Sequence, residues 1–117
     1  MSVQRSMPLV TVCDLDAAIE EYCRLTGMKV IMNHGWIATL ASPEDHSIQI
    51  SLITSDPTAP INPVASIELD DVDAAYKIAQ DNGWEIVHGL AVEEWGVRRF
   101  FVRDTDGNVV NLLSHVG

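Results

Sequence analysis

The side chains of this chain that can do chemistry are thinly spread. Its four histidines and two cysteines form no nucleophile or metal-ligand motif. His34 falls in an "NHG" turn, His46 in "PEDHS" and His115 in the closing stretch, so only His88 lies in a strand-like segment. Ser114 and His115 are neighbours in a strand, and neighbours in a strand point to opposite faces, so they make no nucleophile–base pair. Cys13 and Cys23 form no CxxC motif, and no glycine-rich phosphate loop is present. The informative stretch is "DTDGNVVNLL", where an Asp-Gly turn feeds an alternating strand. In that strand Asn111 shares a face with Val109 and Leu113. A carboxylate there would serve as a metal ligand or a general base. An amide offers only neutral hydrogen bonds.

The elements that must position this residue follow from a repeat. "DLDAA" at 14–18 recurs as "DVDAA" at 71–75, fifty-seven residues later. Each copy is preceded by an alternating run, "PLVTVC" or "VASIELD", and followed by a glycine and an apolar strand, "GMKVI" or "GWEIV". Asp14 and Asp71 are predicted helix N-caps, with Asp16 and Asp73 facing the positive end of the helix dipole. Gly27 and Gly83 are predicted terminators. Ala18, Ile19, Tyr22 and Leu25 make one helical stripe, and Val72, Ala75, Tyr76 and Ala79 the other. Strands are expected at 28–33, 36–41 and 47–53 after the first helix, and at 85–88, 97–103 and 109–113 after the second. "SDPTAPINP" links the halves. The fold class is therefore α+β, with βαβββ occurring twice. It is expected as one domain over residues 1–117, with module one at about 7–54 and module two at about 62–114.

Composition narrows the function. With 117 residues, 47% apolar and 21% charged, the chain is an ordinary globular mix with no run long enough to span a membrane. Its net charge of −10 repels phosphate backbones, so nucleic acid is not an expected partner. The opening "MSVQRSMPLV" lacks the features of a secretory signal, and neither cysteine requires a disulfide. A cytoplasmic location is the expectation.

The doubled βαβββ order, "VCDLDAAIEEYCRLTGMKV" and "WGVRRFFVRDTDGNVVNLL" together resemble the vicinal oxygen chelate superfamily. That superfamily holds glyoxalases, extradiol dioxygenases, fosfomycin-resistance transferases and bleomycin-resistance-type binding proteins. The resemblance implies two modules forming a cup-shaped mixed-sheet domain around a cavity. It also implies a metal site with one ligand from the first and the last strand of each module. The motifs place those slots at Met7, Gln49, Val64 and Asn111. No slot carries a charge, which is a poor donor set for a divalent catalytic ion. A two-residue slip on the linker strand offers Ser66 and Glu68 instead, so a metal-dependent lyase, isomerase or extradiol dioxygenase with atypical ligands stays open as the alternative.

The resemblance thus implies a metal-less, bleomycin-resistance-like protein that binds a small organic molecule, needs no cofactor and forms a homodimer. No catalytic residue is expected. Thr11, Gln49, Ser51, Glu68 and Asn111 are expected to line the cup, with Trp95 stacking on a flat or cationic group beside Glu93 and Glu94. For the strand residues a solvated sheet face is the competing reading. For Trp95 it is a cap on the cup mouth or a dimer contact. A metal-free enzyme using Glu68 as general base is the third possibility.

Overall fold

Asp14 and Asp71 start both helices. In the computed structural model, which describes residues 1–116, the Asp14 carboxylate accepts the Ala17 N–H at 3.1 Å and begins α1 (Leu15–Thr26). The Asp71 carboxylate accepts the Ala74 N–H at 3.0 Å and begins α2 (Val72–Asp81). The order is βαβββ twice: β1 (Val3–Thr11), α1, β2 (Lys29–Asn33), β3 (Ile37–Ala41), β4 (Gln49–Ile53), then β5 (Ala65–Leu69), α2, β6 (Glu85–Glu93), β7 (Val97–Arg103), β8 (Val109–His115). This is the expected α+β arrangement.

The chain divides into two compact units, residues 7–62 and residues 1–6 with those from 63 onward. In the first unit the strands lie in the order β2-β3-β4-β1, with β1 parallel to β4 and the other pairs antiparallel. Leu15 and Ala18 of α1 pack on Ala38, Leu40 and Leu52, with Ile19, Tyr22 and Cys23 against the same cluster. Leu25, expected in this stripe, is exposed; the stripe that packs runs through Ile19, Tyr22 and Cys23 to Met28 instead. In the second unit the order is β5-β8-β7-β6, with β5 parallel to β8. Val72 and Ala79 of α2 pack on Phe100 and Val102, with Tyr76 edge-on to Phe100. Apolar burial on the helix side of each sheet supplies the main driving force.

Three strands run further than the periodicity indicates, and the first of them, β1, starts at Val3, ahead of the "PLVTVC" run. β6 continues to Glu93 because register shifts between Ile86, His88 and Ala91 break its alternation without ending it. β8 continues through Ser114 to His115. The Ser114 hydroxyl donates to the Leu69 carbonyl at 2.7 Å and accepts the Val72 N–H at 3.1 Å, so it closes the start of α2. Ser2 is tied into the same unit. Its N–H donates to Asp70 at 2.8 Å, and its carbonyl accepts the Asp70 N–H at 3.1 Å.

The β7–β8 turn is built around one carboxylate. Asp104 accepts the N–H groups of Asp106 and Asn108, both at 2.9 Å, and the Asn108 side-chain amide at 3.0 Å. Gly107 supplies the φ of 91° that the turn requires. The Asn108 amide first, then the Asn108 N–H, hold the Asp104 carboxyl below the usual carboxylate range. A depressed folded-state pKa gives stability that is complete above the unfolded value and lost as pH falls through the folded one. Asp104→Ala should therefore lower the melting temperature at neutral pH. Wild type and variant should begin to converge as pH falls below about 4. Thermal melts across pH check this, and a gap that stays constant into acid would contradict it.

Candidate functional site

Strand parity gives each sheet a helix side and an opposite side. In the first unit the opposite side carries Met7, Leu9 and Ile53, with Trp36 and Ile37 packed on them. Thr39 and Ser51 are buried on that side, their hydroxyl oxygens 2.8 Å apart, and the Ser51 hydroxyl donates to the Met7 sulfur at 3.3 Å. Gln49 donates its side-chain N–H to the His46 carbonyl at 2.9 Å. The exposed Thr11 accepts from the Asn62 amide at 3.2 Å. Thr11, Gln49 and Ser51 therefore all have partners of their own.

The ladders also correct one slot. Leu9 pairs with Ser51 in the first unit as Ser66 pairs with Asn111 in the second. Ser51, and not Gln49, is thus the counterpart of Asn111. The motif count misses this because the segments before β4 and β8 differ in length. Val64 lies just before β5, donates its N–H to Val109 and is half exposed.

In the second unit the side opposite α2 holds Ser66 and Glu68 of β5, Asn111, Leu113 and His115 of β8, and Arg99 and Phe101 of β7. Glu68 lies between two partners, 2.9 Å from the Arg5 guanidinium and 2.9 Å from the His115 ring. Trp95 already has a cation. The Arg99 guanidinium sits 4.9 Å from its ring centroid and 4.9 Å from that of Phe101. Arg99 is buried, and Glu93 lies 3.3 Å from both Arg99 and His88. The ring expected to stack on a flat or cationic group of a ligand thus has a cation of the chain itself against it. His88 also bonds the Gly89 carbonyl at 2.7 Å and packs on Phe101. Arg99 and Phe101 were recoverable from the sequence, since alternation in "VRRFFVR" puts both on the face of Asn111.

Asn111 differs from all of these. It is 8% exposed, pairs across the ladder with Ser66 and Phe101, and donates its side-chain N–H to the Ser66 hydroxyl at 3.0 Å. Its side-chain oxygen is buried with no hydrogen-bond partner among the described residues. Because a hydroxyl both donates and accepts, turning the amide over would only leave its other end unmatched. An unmatched buried amide group costs about 1–3 kcal/mol. The donor types at the four slots do not fit a divalent metal: Met7 is a thioether, Val64 is aliphatic, and Ser51 and Asn111 are neutral. Among the described residues no three His, Cys, Asp or Glu side chains converge to hold one. No helix among them is long and apolar enough to cross a membrane.

The model of the Glyoxalase/Bleomycin resistance protein/Dioxygenase superfamily matches residues 5–112. Three solved structures show the same fold. One is an NAD-dependent benzaldehyde dehydrogenase from Legionella pneumophila, with a TM-score of 0.77, 15% identity, and coverage of 94% of this chain and 98% of that one. A superfamily member from Vibrio splendidus 12B01 gives a TM-score of 0.71, 13% identity, and coverage of 98% and 100%. The Streptomyces coelicolor methylmalonyl-CoA epimerase gives 0.74, 19% identity, and coverage of 99% and 100%. At these identities the likeness establishes the fold. No curated protein matches the sequence.

The buried Arg99–Glu93 pair predicts a non-additive mutant series. Arg99→Met alone leaves Glu93 short of a partner and should cost about 3 kcal/mol. Adding Glu93→Leu should recover most of that loss. Urea denaturation of both single variants and the double variant measures the coupling, and simple additivity would disprove it.

Proposed function

Because the chain belongs to the glyoxalase/bleomycin resistance protein/dioxygenase superfamily, we propose that it is a metal-independent binder of a small organic molecule. The observation that carries this reading is the unmatched oxygen of Asn111. It is a buried hydrogen-bond acceptor held against Ser66, and a ligand N–H or O–H would satisfy it. The uncharged slots support binding by shape and neutral hydrogen bonds. The carboxylates that a metal or a general-base mechanism could recruit already have partners, Glu68 with Arg5 and His115 and Glu93 with Arg99 and His88. Thr11, Gln49, Ser51 and Trp95 shape and support the binding surface, and no residue is proposed as catalytic.

We also propose a cytoplasmic homodimer. β2 stands at one end of the strand order of the first unit and β6 at one end of that of the second, and Val30, Ile31 and Val92 on them are exposed. Such edges invite pairing. Light scattering giving a monomer at micromolar concentration would refute the dimer.

Two measurements test the binding reading. Protein purified without chelator should hold no stoichiometric Fe, Mn, Ni or Zn, and chelator should leave its melting temperature unchanged. In a thermal-shift panel of small amides, alcohols, amines and carboxylates, hydrogen-bond donors should stabilise the wild type. The Ser66→Ala/Asn111→Leu variant should lose that shift while being as stable as the wild type, or more stable by about 1 kcal/mol. Stoichiometric metal, or a variant that responds like the wild type, would overturn the reading.

A further inference from the structure

On its helix side, the second unit has a cleft of about 410 Å³ between α2 and the sheet. Ile67, Leu69, Val110 and Leu112 form its floor, and Ala75, Ile78 and Ala79 of α2 one wall. Trp84, Met1 and Val3 stand at its rim, and Asp104 carries the one charged side chain lining it. Asn111 faces the other side of this sheet, so the cleft is separate from the site described above.

The internal repeat shows how this cleft arises. Asp14 and Asp71 cap the two helices at equivalent places, so the fifty-seven-residue offset aligns them residue by residue. Tyr22, which packs on the core of the first unit, becomes Ala79 in the second. Glu21, exposed in the first unit, becomes Ile78, which is 49% exposed. Met28, counted from the matched glycines, becomes Trp84, which is 46% exposed. At the same offset Ile19 becomes Tyr76, which packs edge-on against Phe100, so the bulk beneath the helix is shifted toward its start, the place of Tyr22 is left small at Ala79, and apolar groups stand around the opening. Large apolar side chains gathered around one opening are a feature of interaction surfaces and ligand-binding grooves.

We infer that this cleft binds a small, largely apolar molecule that carries no negative charge. Its volume falls in the range of small-molecule pockets, and its lining is almost wholly hydrocarbon with one indole available for stacking. The net charge of −10 and the Asp104 carboxylate at the rim disfavour anionic amphiphiles. Twelve residues line the cleft, well short of the roughly 20–30 per side that a standard protein interface engages.

Nile red, uncharged and fluorescent in apolar surroundings, is the probe. It should bind saturably with one-to-one stoichiometry and quench Trp84, a component that Trp84→Phe removes. The anionic dye 8-anilinonaphthalene-1-sulfonate should bind about tenfold more weakly. Ala79→Tyr restores the bulk that the first unit carries and should weaken Nile red binding by about tenfold or more. Ile78→Glu restores the exposed glutamate and should do the same from a surface position, so the test survives if Ala79→Tyr misfolds. Wild-type affinity in either folded variant would overturn the inference. So would a dye signal that tracks self-association in light scattering, which would make a second copy the occupant.

Discussion

The carboxylate of Asp104 gathers three hydrogen bonds within five residues and so fixes the register of the β7–β8 hairpin. From the Arg103–Val109 pair outward, that register sets Phe101 against Asn111 and Arg99 against Leu113. A slip of one residue would turn Asn111 toward α2 and carry Val110 and Leu112 out of the core. The chemistry of one face and the packing of the other therefore rest on the same short turn. β5 inherits the arrangement, because its Ser66 reaches Asn111 only in the observed ladder.

On the face opposite the helices, most polar groups are satisfied by the chain itself. Ser51 is held by Thr39 and Met7, Glu68 by Arg5 and His115, and Trp95 lies against Arg99. Burying Arg99 is tolerable because two aromatic faces and Glu93 replace the water it gives up. Among the described residues these contacts leave Asn111 as the side chain with a buried acceptor still to be filled. The remaining polarity is local and neutral, which suits selection by hydrogen-bond pattern better than attraction by charge.

Much of the fold was legible in the sequence because it is dictated locally. The helix starts at Asp14 and Asp71, the repeat between the halves, and the alternation that separates Leu52 from Ser51 all follow from neighbours a few residues apart. What escaped depends on longer range or on broken periodicity. The bulges around His88 hide the second half of β6, and Leu25 is exposed while the stripe that packs runs through Cys23 to Met28. The sequence singles out Trp95 as a stacking surface but cannot show that Arg99 occupies it. The slot opposite Met7 shifted from Gln49 to Ser51 because counting from motifs cannot register unequal loops. Asn111 was identifiable from the turn alone, whereas its unmatched oxygen appears only once Ser66 is in place.

Ser2 grips Asp70, and Arg5 grips Glu68, across more than sixty residues of chain. The second unit is thus discontinuous: its opening segment is synthesised before the entire first unit and its remainder after. On a ribosome these pieces cannot meet until the intervening residues have emerged, so the second unit matures late and carries a high contact order for its size. The repeat looks like two interchangeable halves, but the halves are not separable in the same way. A fragment starting at residue 63 keeps α2 and four strands, yet loses the segment that Asp70 and Glu68 hold.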